Sequence, residues 1–479
     1  MSTREPDALG HGRERQTEGE HSGLGSLGRR FVGPSRLGDN FSTNPARILA
    51  VGFLAAIGIG TLILMLPVAS QPDGSAPFLT ALFTSTSAVC VTGLIVVDTP
   101  EYWSIYGQAA LLVLFQVGGF GILTGTSLAF LALTRKIGFR GRLMASAERQ
   151  QQDAGQLKRV LAVALVVTVV VEAAAWVSIT VTLLRDGYSV GSAVWRGLFH
   201  AVSAFNGAGF ALWTDSVAGF ATNGQMLMTI AIATIIGGIG VPVWLDARRE
   251  RLRWTKYSLH TKLTLSGTIA LLSAGFVALT ISEWDNPDTL GALGVPGKLL
   301  GGFFASVTPR SAGFSTFDYG QADVETLLVT DALMFIGGGS ASTAGGVKVG
   351  TFVLLMLVVW SEARGRDQLD AFARTVPSTV LRRAFSVAFL ALVVVAFGTL
   401  TITASGPVGL EDALFEATSA FATVGLSTGI TPDLDAAGQM TVIVLMYAGR
   451  VGLVTVALAL AFRDRGRQYS YPEERPLVG

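Results

Sequence analysis

The chain has 479 residues, half of them hydrophobic and only 14% charged, with a formal net charge of +1. Soluble domains carry about 25% charged residues, so a core wrapped in a charged surface is excluded. The single cysteine, Cys90, excludes an internal disulfide and a thiolate metal cluster alike.

Residues 1–44 are polar, Gly-rich and mixed in charge. They read as a disordered cytoplasmic tail, because no short apolar core with a cleavage site precedes the first span. Long apolar runs follow at Ile48–Val68, Leu111–Leu133, Val160–Leu184, Met226–Leu245, Leu263–Ile281, Thr326–Trp360, Phe385–Thr403 and Met440–Phe462. Each is near or above the roughly 20 residues a helix needs to cross the hydrocarbon, which predicts about eight spans. Loops after even-numbered spans are basic: Arg135, Lys136, Arg140 and Arg142; Arg248, Arg249, Arg251, Arg253 and Lys256; Arg364, Arg366, Arg374, Arg382 and Arg383; then Arg463, Arg465 and Arg467. Between the first two spans there is no Lys or Arg. The positive-inside rule therefore places both termini in the cytoplasm.

A fourfold internal repeat emerges next. The odd-numbered loops carry Ala81–Leu94 (ALFTSTSAVCVTGL), Gly197–Phe210 (GLFHAVSAFNGAGF), Gly301–Phe314 (GGFFASVTPRSAGF) and Ala413–Leu426 (ALFEATSAFATVGL). In each, a Phe (83, 199, 303, 415) stands ten residues before a glycine (93, 209, 313, 425) that a large apolar residue follows. A second register recurs downstream in the even-numbered spans: Gln116–Gly121 (QVGGFG), Ile236–Gly240 (IGGIG), Ile336–Ser340 (IGGGS) and Ala448–Gly452 (AGRVG).

A stretch of about 12 residues is too short to span, so each loop segment reads as a half-helix entering from outside. The glycine-ended segment after it returns as irregular backbone, tolerated at membrane depth only where protein buries it or it lines water. Four such segments around one axis aim carbonyl oxygens that replace the hydration shell of a cation. The half-helices also turn their partly negative C-terminal ends toward that axis. The predicted fold is an all-α integral membrane protein of four tandem helix–pore-helix–helix repeats, arranged pseudo-fourfold around one cation pore. Its expected parts are repeat 1 at 45–134, a cytoplasmic loop at 135–159, repeat 2 at 160–247 and a loop at 248–261. Repeat 3 at 262–362, a loop at 363–380, repeat 4 at 381–462 and a C-terminal cytoplasmic tail at 463–479 complete it.

These motifs resemble the bacterial Trk/Ktr potassium-transporter superfamily, specifically its Ktr-type, pore-forming (KtrB-like) membrane subunit. The resemblance runs from about residue 44 to the end. It rests on Ser87–Leu94, Ser203–Phe210, Thr308–Phe314, Ala422–Leu426, Gly337–Gly346 and the closing Tyr471–Gly479. Absence of two extra spans before the first repeat favours the Ktr type. The resemblance implies potassium uptake through a homodimer in the plasma membrane, one pore per subunit, gated by a KtrA-like cytoplasmic nucleotide-binding ring. It implies K+ as the transported ion, sodium dependence being left open, and no nucleic-acid partner. By the same resemblance the filter carbonyls come from Cys90, Val91, Thr92 and Gly93; Asn206, Gly207, Ala208 and Gly209; Arg310, Ser311, Ala312 and Gly313; and Ala422, Thr423, Val424 and Gly425. None of the four contains Gly-Tyr-Gly, a degeneracy usual for the family.

Gly337–Gly346 (GGGSASTAGG) breaks an apolar span with residues that cannot hold a helix, each glycine costing about 1 kcal/mol against alanine. The resemblance makes Gly337, Gly338, Gly339, Ser340, Thr343, Gly345 and Gly346 an intramembrane gate, with Lys348 and Arg450 beside it; the plainer alternative is a small-residue packing face. Arg450, mid-span, reads as a charge that tunes the pore or as half of an internal ion pair. Glu172 reads as the one clear carboxylate within a span, pairing with Lys348 or Arg450 or bonding a neighbouring helix. Arg310 is expected to brace the third filter from behind, and Asn206 to use its amide structurally. His200 and His260, on opposite sides, make no metal site. Gly119–Gly125 falls one residue off the dinucleotide pattern and Gly345–Lys348 lacks the Gly-Lys-Ser/Thr of a phosphate loop. No catalytic constellation is present, so an enzyme is not expected. The alternative transport reading is an alternating-access secondary cation transporter.

Overall fold

The computed structural model describes residues 45–452 apart from 72–73, 137–147, 252 and 366–367. The expected tails 1–44 and 463–479, the closing Tyr471–Gly479 motif and the middle of the 135–159 loop lie outside the described residues.

Among the described residues fifteen α-helices follow in chain order. The first group is α1 (Pro45–Leu64), α2 (Phe78–Val89), the single turn α3 (Thr99–Tyr102) and α4 (Ile105–Lys136). Next come α5 (Glu148–Arg185), α6 (Val190–Asn206), α7 (Gly224–Ile239) and α8 (Val241–Glu250). The third group is α9 (Leu259–Ser282), α10 (Val295–Val307), α11 (Val324–Phe335) and α12 (Val349–Ala363). The last is α13 (Ser378–Ser405), α14 (Leu410–Ala422) and α15 (Ala436–Tyr447), which runs into a π-helical turn at Ala448–Gly452. Helix α5 begins within the stretch read as a loop, because the polar residues 148–158 continue the backbone hydrogen bonding of the apolar span behind them. Among the described residues the only strands are the two-residue pair β1 (Asp370–Ala371) and β2 (Arg374–Thr375), a hairpin between α12 and α13.

Four helical stretches, Ile105–Gly125, Arg159–Arg185, Leu259–Ser282 and Ser378–Ser405, are each long and apolar enough to cross a membrane. Helices α7 and α8 pass that test only as a pair bent by 91°. Of the other expected spans, the first is the shorter apolar helix α1, the run 326–360 is interrupted at 337–346, and the last extends beyond the described residues. Large apolar side chains on the long helices face outward, such as Val170 at 60% exposure, Ile281 at 71% and Phe397 at 68%. An outward apolar surface of this extent fits lipid and not water.

The short helices α2, α6, α10 and α14 hold 12 to 17 residues, and their C-terminal halves are buried except at Phe303 of α10. Each packs on the long helix that precedes it: α2 on α1, α6 on α5, α10 on α9, α14 on α13. Each also meets a helix that follows the short helix of the group before it: α6 with α4, α10 with α7, α14 with α11, and α2 with α15. The last pairing returns to the start of the described chain, so the four groups close in a cycle. The repeated Phe supplies core at three positions, since Phe83, Phe199 and Phe415 are wholly buried. In the third group the buried ring is Phe304, and Phe303 is only partly covered. The residue after the Phe is Thr84, His200 or Glu416 elsewhere, all buried polar groups. His200 ties α6 to the outer loop, its Nδ1 2.7 Å from the Arg196 carbonyl and its Nε2 accepting from the Leu212 amide at 3.1 Å.

The second glycine register explains itself as close approach. A Cβ on Gly118, Gly237 or Gly449 would lie 2.0, 2.0 or 1.7 Å from the carbonyl oxygen of Val89, Phe205 or Phe421, respectively. Those three carbonyls stand at equivalent places near the ends of α2, α6 and α14. Glycine lets the following helix rest directly on the end of its own short helix. Alanine at Gly237 should therefore cost about 1–3 kcal/mol by overpacking. Alanine at Gly238, where nothing lies within 4 Å, should be neutral within about 0.5 kcal/mol. Melting of the two detergent-purified variants by size-exclusion chromatography after heating checks this, and equal melting points would contradict the packing account.

Candidate functional site

After each short helix the chain turns through a glycine at positive φ: Gly93 at 97°, Gly209 at 72°, Gly313 at 63° and Gly425 at 95°. The four turns touch one another in order. A Cβ on Gly93 would lie 2.5 Å from the Ala208 carbonyl oxygen, one on Gly209 would lie 2.9 Å from that of Ala312, and one on Gly313 would lie 2.2 Å from that of Val424. One on Gly425 would lie 2.1 Å from the carbonyl oxygen of Thr92, which closes the ring. Only glycine combines this φ with backbone neighbours so near.

The peptide amides of these turns point back to the short helices. Thr92 N donates to the Ser87 carbonyl at 2.8 Å, Ala208 N to that of Ser203 at 2.7 Å, and Val424 N to that of Ser419 at 2.9 Å. Hydroxyls add to this: Ser87 Oγ accepts from Gly93 N at 3.0 Å and Ser419 Oγ from Gly425 N at 3.1 Å. The carbonyl oxygens of Thr92, Ala208, Ala312 and Val424 receive no hydrogen bond among the described residues. Buried carbonyls are normally satisfied, so a ring of free ones is a place for a cation. Two residues before the glycine, Val91 (φ 55°), Gly207 (73°) and Thr423 (51°) are left-handed, the non-glycine ones at a cost of about 1–2 kcal/mol each. The third segment departs: Ser311 is extended, after a 3-10 turn at Thr308–Arg310. Outside the ring lies a cavity of about 270 Å³ lined by all four glycines, by the Asp98 and Asp318 carboxylates and by hydroxyls such as Thr214, Ser315 and Thr431.

Residues 337–346 lie beneath the ring as irregular backbone between α11 and α12. A parallel bridge of Ile336 with Val347 closes the base of the loop. The loop is wedged into the α7–α8 break: Gly339 N donates to the Gly238 carbonyl at 2.8 Å, Thr343 N to that of Gly237 at 3.3 Å, and Val241 N to that of Ala341 at 3.0 Å. Gly240 turns there at φ 100°, and a Cβ on it would lie 2.5 Å from the Ser340 carbonyl oxygen. The loop also reaches the ring segments, since Thr343 Oγ1 lies 3.4 Å from the Phe205 carbonyl and a Cβ on Gly345 would lie 2.2 Å from Thr423 Oγ1. Lys348 caps the loop, its Nζ donating to the carbonyls of Ala344 and Gly345.

Arg450, 2% exposed in the π-turn, donates to the Thr343 carbonyl and, at 3.4 Å, to Thr423 Oγ1. It has no carboxylate partner among the described residues. Glu172 pairs with neither Lys348 nor Arg450. Its carboxylate accepts from Asn206 Nδ2 at 3.1 Å and Gln116 Nε2 at 3.4 Å, because α5 packs on α6 and α4 and not on the loop. Asn206 Nδ2 further donates to Gln116 Oε1 at 2.7 Å and the Val202 carbonyl at 2.9 Å, so its amide is used within the protein. Arg310 lies behind the third segment, with Nη2 3.4 Å from the Gly337 carbonyl and 3.5 Å from Thr268 Oγ1. Reading Glu172 as the one clear carboxylate within a span overlooked Asp331 of α11, whose Oδ1 is buried without a partner among the described residues. Its place inside the Thr326–Trp360 run was the available signal.

The TrkH family, described as cation transport protein, matches residues 40–468. Ktr system potassium uptake protein B of Bacillus subtilis (strain 168) is 36% identical over 435 residues, which cover 91% of this chain and 97% of that protein. Potassium/sodium uptake protein NtpJ of Enterococcus hirae is 38% identical over 443 residues, covering 91% of this chain and 97% of that protein. The crystal structure of the potassium transporter TrkH from Vibrio parahaemolyticus superposes with a TM-score of 0.68 at 17% identity, covering 90% of this chain and 88% of that one; at that identity the likeness speaks for the fold alone. The chain is a membrane protein of the TrkH cation transport family.

Proposed function

We propose that this chain takes up potassium across the bacterial plasma membrane as the pore-forming subunit of a Ktr-type system. It crosses the membrane repeatedly with both termini in the cytoplasm, and its four repeats stand pseudo-fourfold around one pore. The observation that carries this reading is the closed ring of Gly93, Gly209, Gly313 and Gly425, with the unpaired carbonyls before each glycine. Dehydrating a monovalent cation needs several oxygens at once, and preorganised carbonyls supply them without side-chain reorganisation. The filter comprises residues 90–93, 206–209, 310–313 and 422–425. The acidic outer cavity concentrates cations before they enter.

Residues 337–346 gate the path below the filter, with Lys348 and Arg450 bound to the loop's carbonyls. Two relatives named as parts of a Ktr system support a KtrA-like cytoplasmic nucleotide-binding ring as partner and a homodimeric assembly. A relative named for both potassium and sodium supports sodium as a second ion of the cycle.

Growth rescue of a potassium-uptake-deficient bacterium at low potassium tests the reading, with the intact chain compared against Gly313→Ser. Rescue by the intact chain alone, with both proteins present in the membrane, is expected. Equal rescue by both would sink the filter assignment. Failure of both, with a KtrA-like partner co-expressed, would sink potassium uptake.

A further inference from the structure

Behind the third filter segment lies a small cavity of about 20 Å³, bounded by Thr234, Gly238, Thr268, Arg310, Ser311 and Gly338. Arg310 is 7% exposed and Ser311 3% exposed. Arg310 Nε and Ser311 Oγ are buried and have no hydrogen-bond partner among the described residues. A water needs about 10–15 Å³ and two to four polar partners. Arg310 Nε and Ser311 Oγ provide two of them, beside Thr268 and Thr234, whose hydroxyl already donates to the Ala204 carbonyl. A buried guanidinium without a carboxylate requires its donors to be satisfied by oxygen, and the long contacts to Thr268 Oγ1 and the Gly337 carbonyl leave Nε unmet.

We propose that this cavity holds one ordered water that, together with the Arg310 guanidinium, couples the third filter segment to the loop 337–346. The inference rests on the filter and gate reading above. The third segment is the one whose backbone departs from the left-handed turn of the other three, and Ser311 is the residue that departs. Its carbonyl and hydroxyl lie against Gly207 of the second segment, where a Cβ would sit 2.3 Å from the Ser311 carbonyl oxygen and 2.6 Å from Oγ. On the other side Arg310 meets Gly337, the first residue of the loop, and Gly338 forms part of the cavity wall. Gly238, on the same wall, accepts the Gly339 amide. A shift of the loop therefore changes the cavity, and the cavity is lined by the third filter segment, whose Ser311 lies against the second. Arg310 acts as a positioning residue, through the loop and through the water.

Rubidium uptake by the full chain, co-expressed with its regulatory partner, provides the test. Three variants are compared at equal membrane abundance: Arg310→Lys, a chain lacking residues 341–344, and the two combined. Arg310→Lys keeps the charge and loses the fork that spans the water, Thr268 and Gly337. It is expected to raise Vmax about fivefold with KM within about twofold, the size of an ordinary coupling between sites. The shortened loop should raise Vmax similarly, and the combination should add nothing to either alone. A multiplied effect in the combination, or a change confined to KM, would overturn the coupling while leaving the gate intact. A shortened loop with unchanged Vmax would overturn the gate reading and the coupling with it. If Arg310→Lys fails to reach the membrane, Ser311→Ala, which removes one partner of the water, runs the same cycle. An experimental map that resolves ordered waters should show one within hydrogen-bond reach of Arg310 Nε and Ser311 Oγ; protein atoms filling that place would overturn the water.

Discussion

Alanine at Gly425 is expected to abolish rubidium uptake while the protein still reaches the membrane. Its φ of 95° is one that L side chains rarely adopt, and the added carbon would stand 2.1 Å from the Thr92 carbonyl oxygen and 3.0 Å from the Gly93 Cα. Both obstacles are backbone, so no side chain can swing aside. Backbone strain and overpacking each cost on the order of 1–3 kcal/mol, and relief comes by pushing the Thr92 carbonyl out of its place in the ring. Because the strain falls on one contact of the carbonyl ring and not on the apolar packing of α13–α15, function should fail before folding does. The ring also predicts an order. Gly209 has its nearest obstacle at 2.9 Å, so Gly209→Ala should keep more uptake than Gly425→Ala. Gly429, at φ 96° with nothing within 4 Å, is strained by alanine but crowds no neighbour, and Gly429→Ala should keep most of it. Uptake per molecule in membranes of matched abundance decides the matter; wild-type rates in Gly425→Ala would remove the ring from the conduction path.

Much of this arrangement is legible in the sequence because membrane backbone has few options. A 12-residue apolar stretch followed by glycine, repeated four times, already implies short buried helices with irregular returns. The coupled second register is legible as a pattern, but its purpose is not. That Gly118, Gly237 and Gly449 rest on carbonyls near the ends of the preceding short helices depends on contacts about 30 residues apart, which composition does not encode. The 91° bend at Gly240 was also hidden. IGGIG reads like its counterpart QVGGFG, which stays inside the continuous α4. What separates them is the loop 337–346, about 100 residues further on, whose amides take the carbonyls of Gly237 and Gly238. Glu172 shows the same limit, since its partners Asn206 and Gln116 are fixed by helix packing alone. An arginine in the third segment is expected to turn away from a line of cations. That it also touches Gly337 follows only from the folded chain.

Replacing Arg450 with alanine is expected to raise uptake per molecule by about tenfold and to weaken discrimination against sodium. Its Nη1 donates to oxygen alone, the Thr343 carbonyl of the loop and Thr423 Oγ1 of the fourth ring segment. An internal ion pair, the plainer alternative for a mid-span arginine, has no carboxylate to complete it among the described residues. The π-turn at Ala448–Gly452 carries the side chain toward both groups, and such turns are frequent at functional sites. A fixed positive charge beside a cation path raises the energy of a passing ion by about 1 kcal/mol or more at the effective dielectric of a protein interior. Each 1.4 kcal/mol is about tenfold in occupancy. Alanine removes that charge and also unties the loop from the fourth ring segment, so both effects point the same way for rate. They separate in Arg450→Lys, which keeps the charge on a shorter side chain, whereas in Arg450 the one Nη1 nitrogen reaches both oxygens. Lysine should therefore loosen the loop while still repelling cations, giving a rise smaller than that of alanine. If alanine instead lowers the amount of protein in the membrane and leaves uptake per molecule unchanged, Arg450 holds helices together and takes no part in conduction.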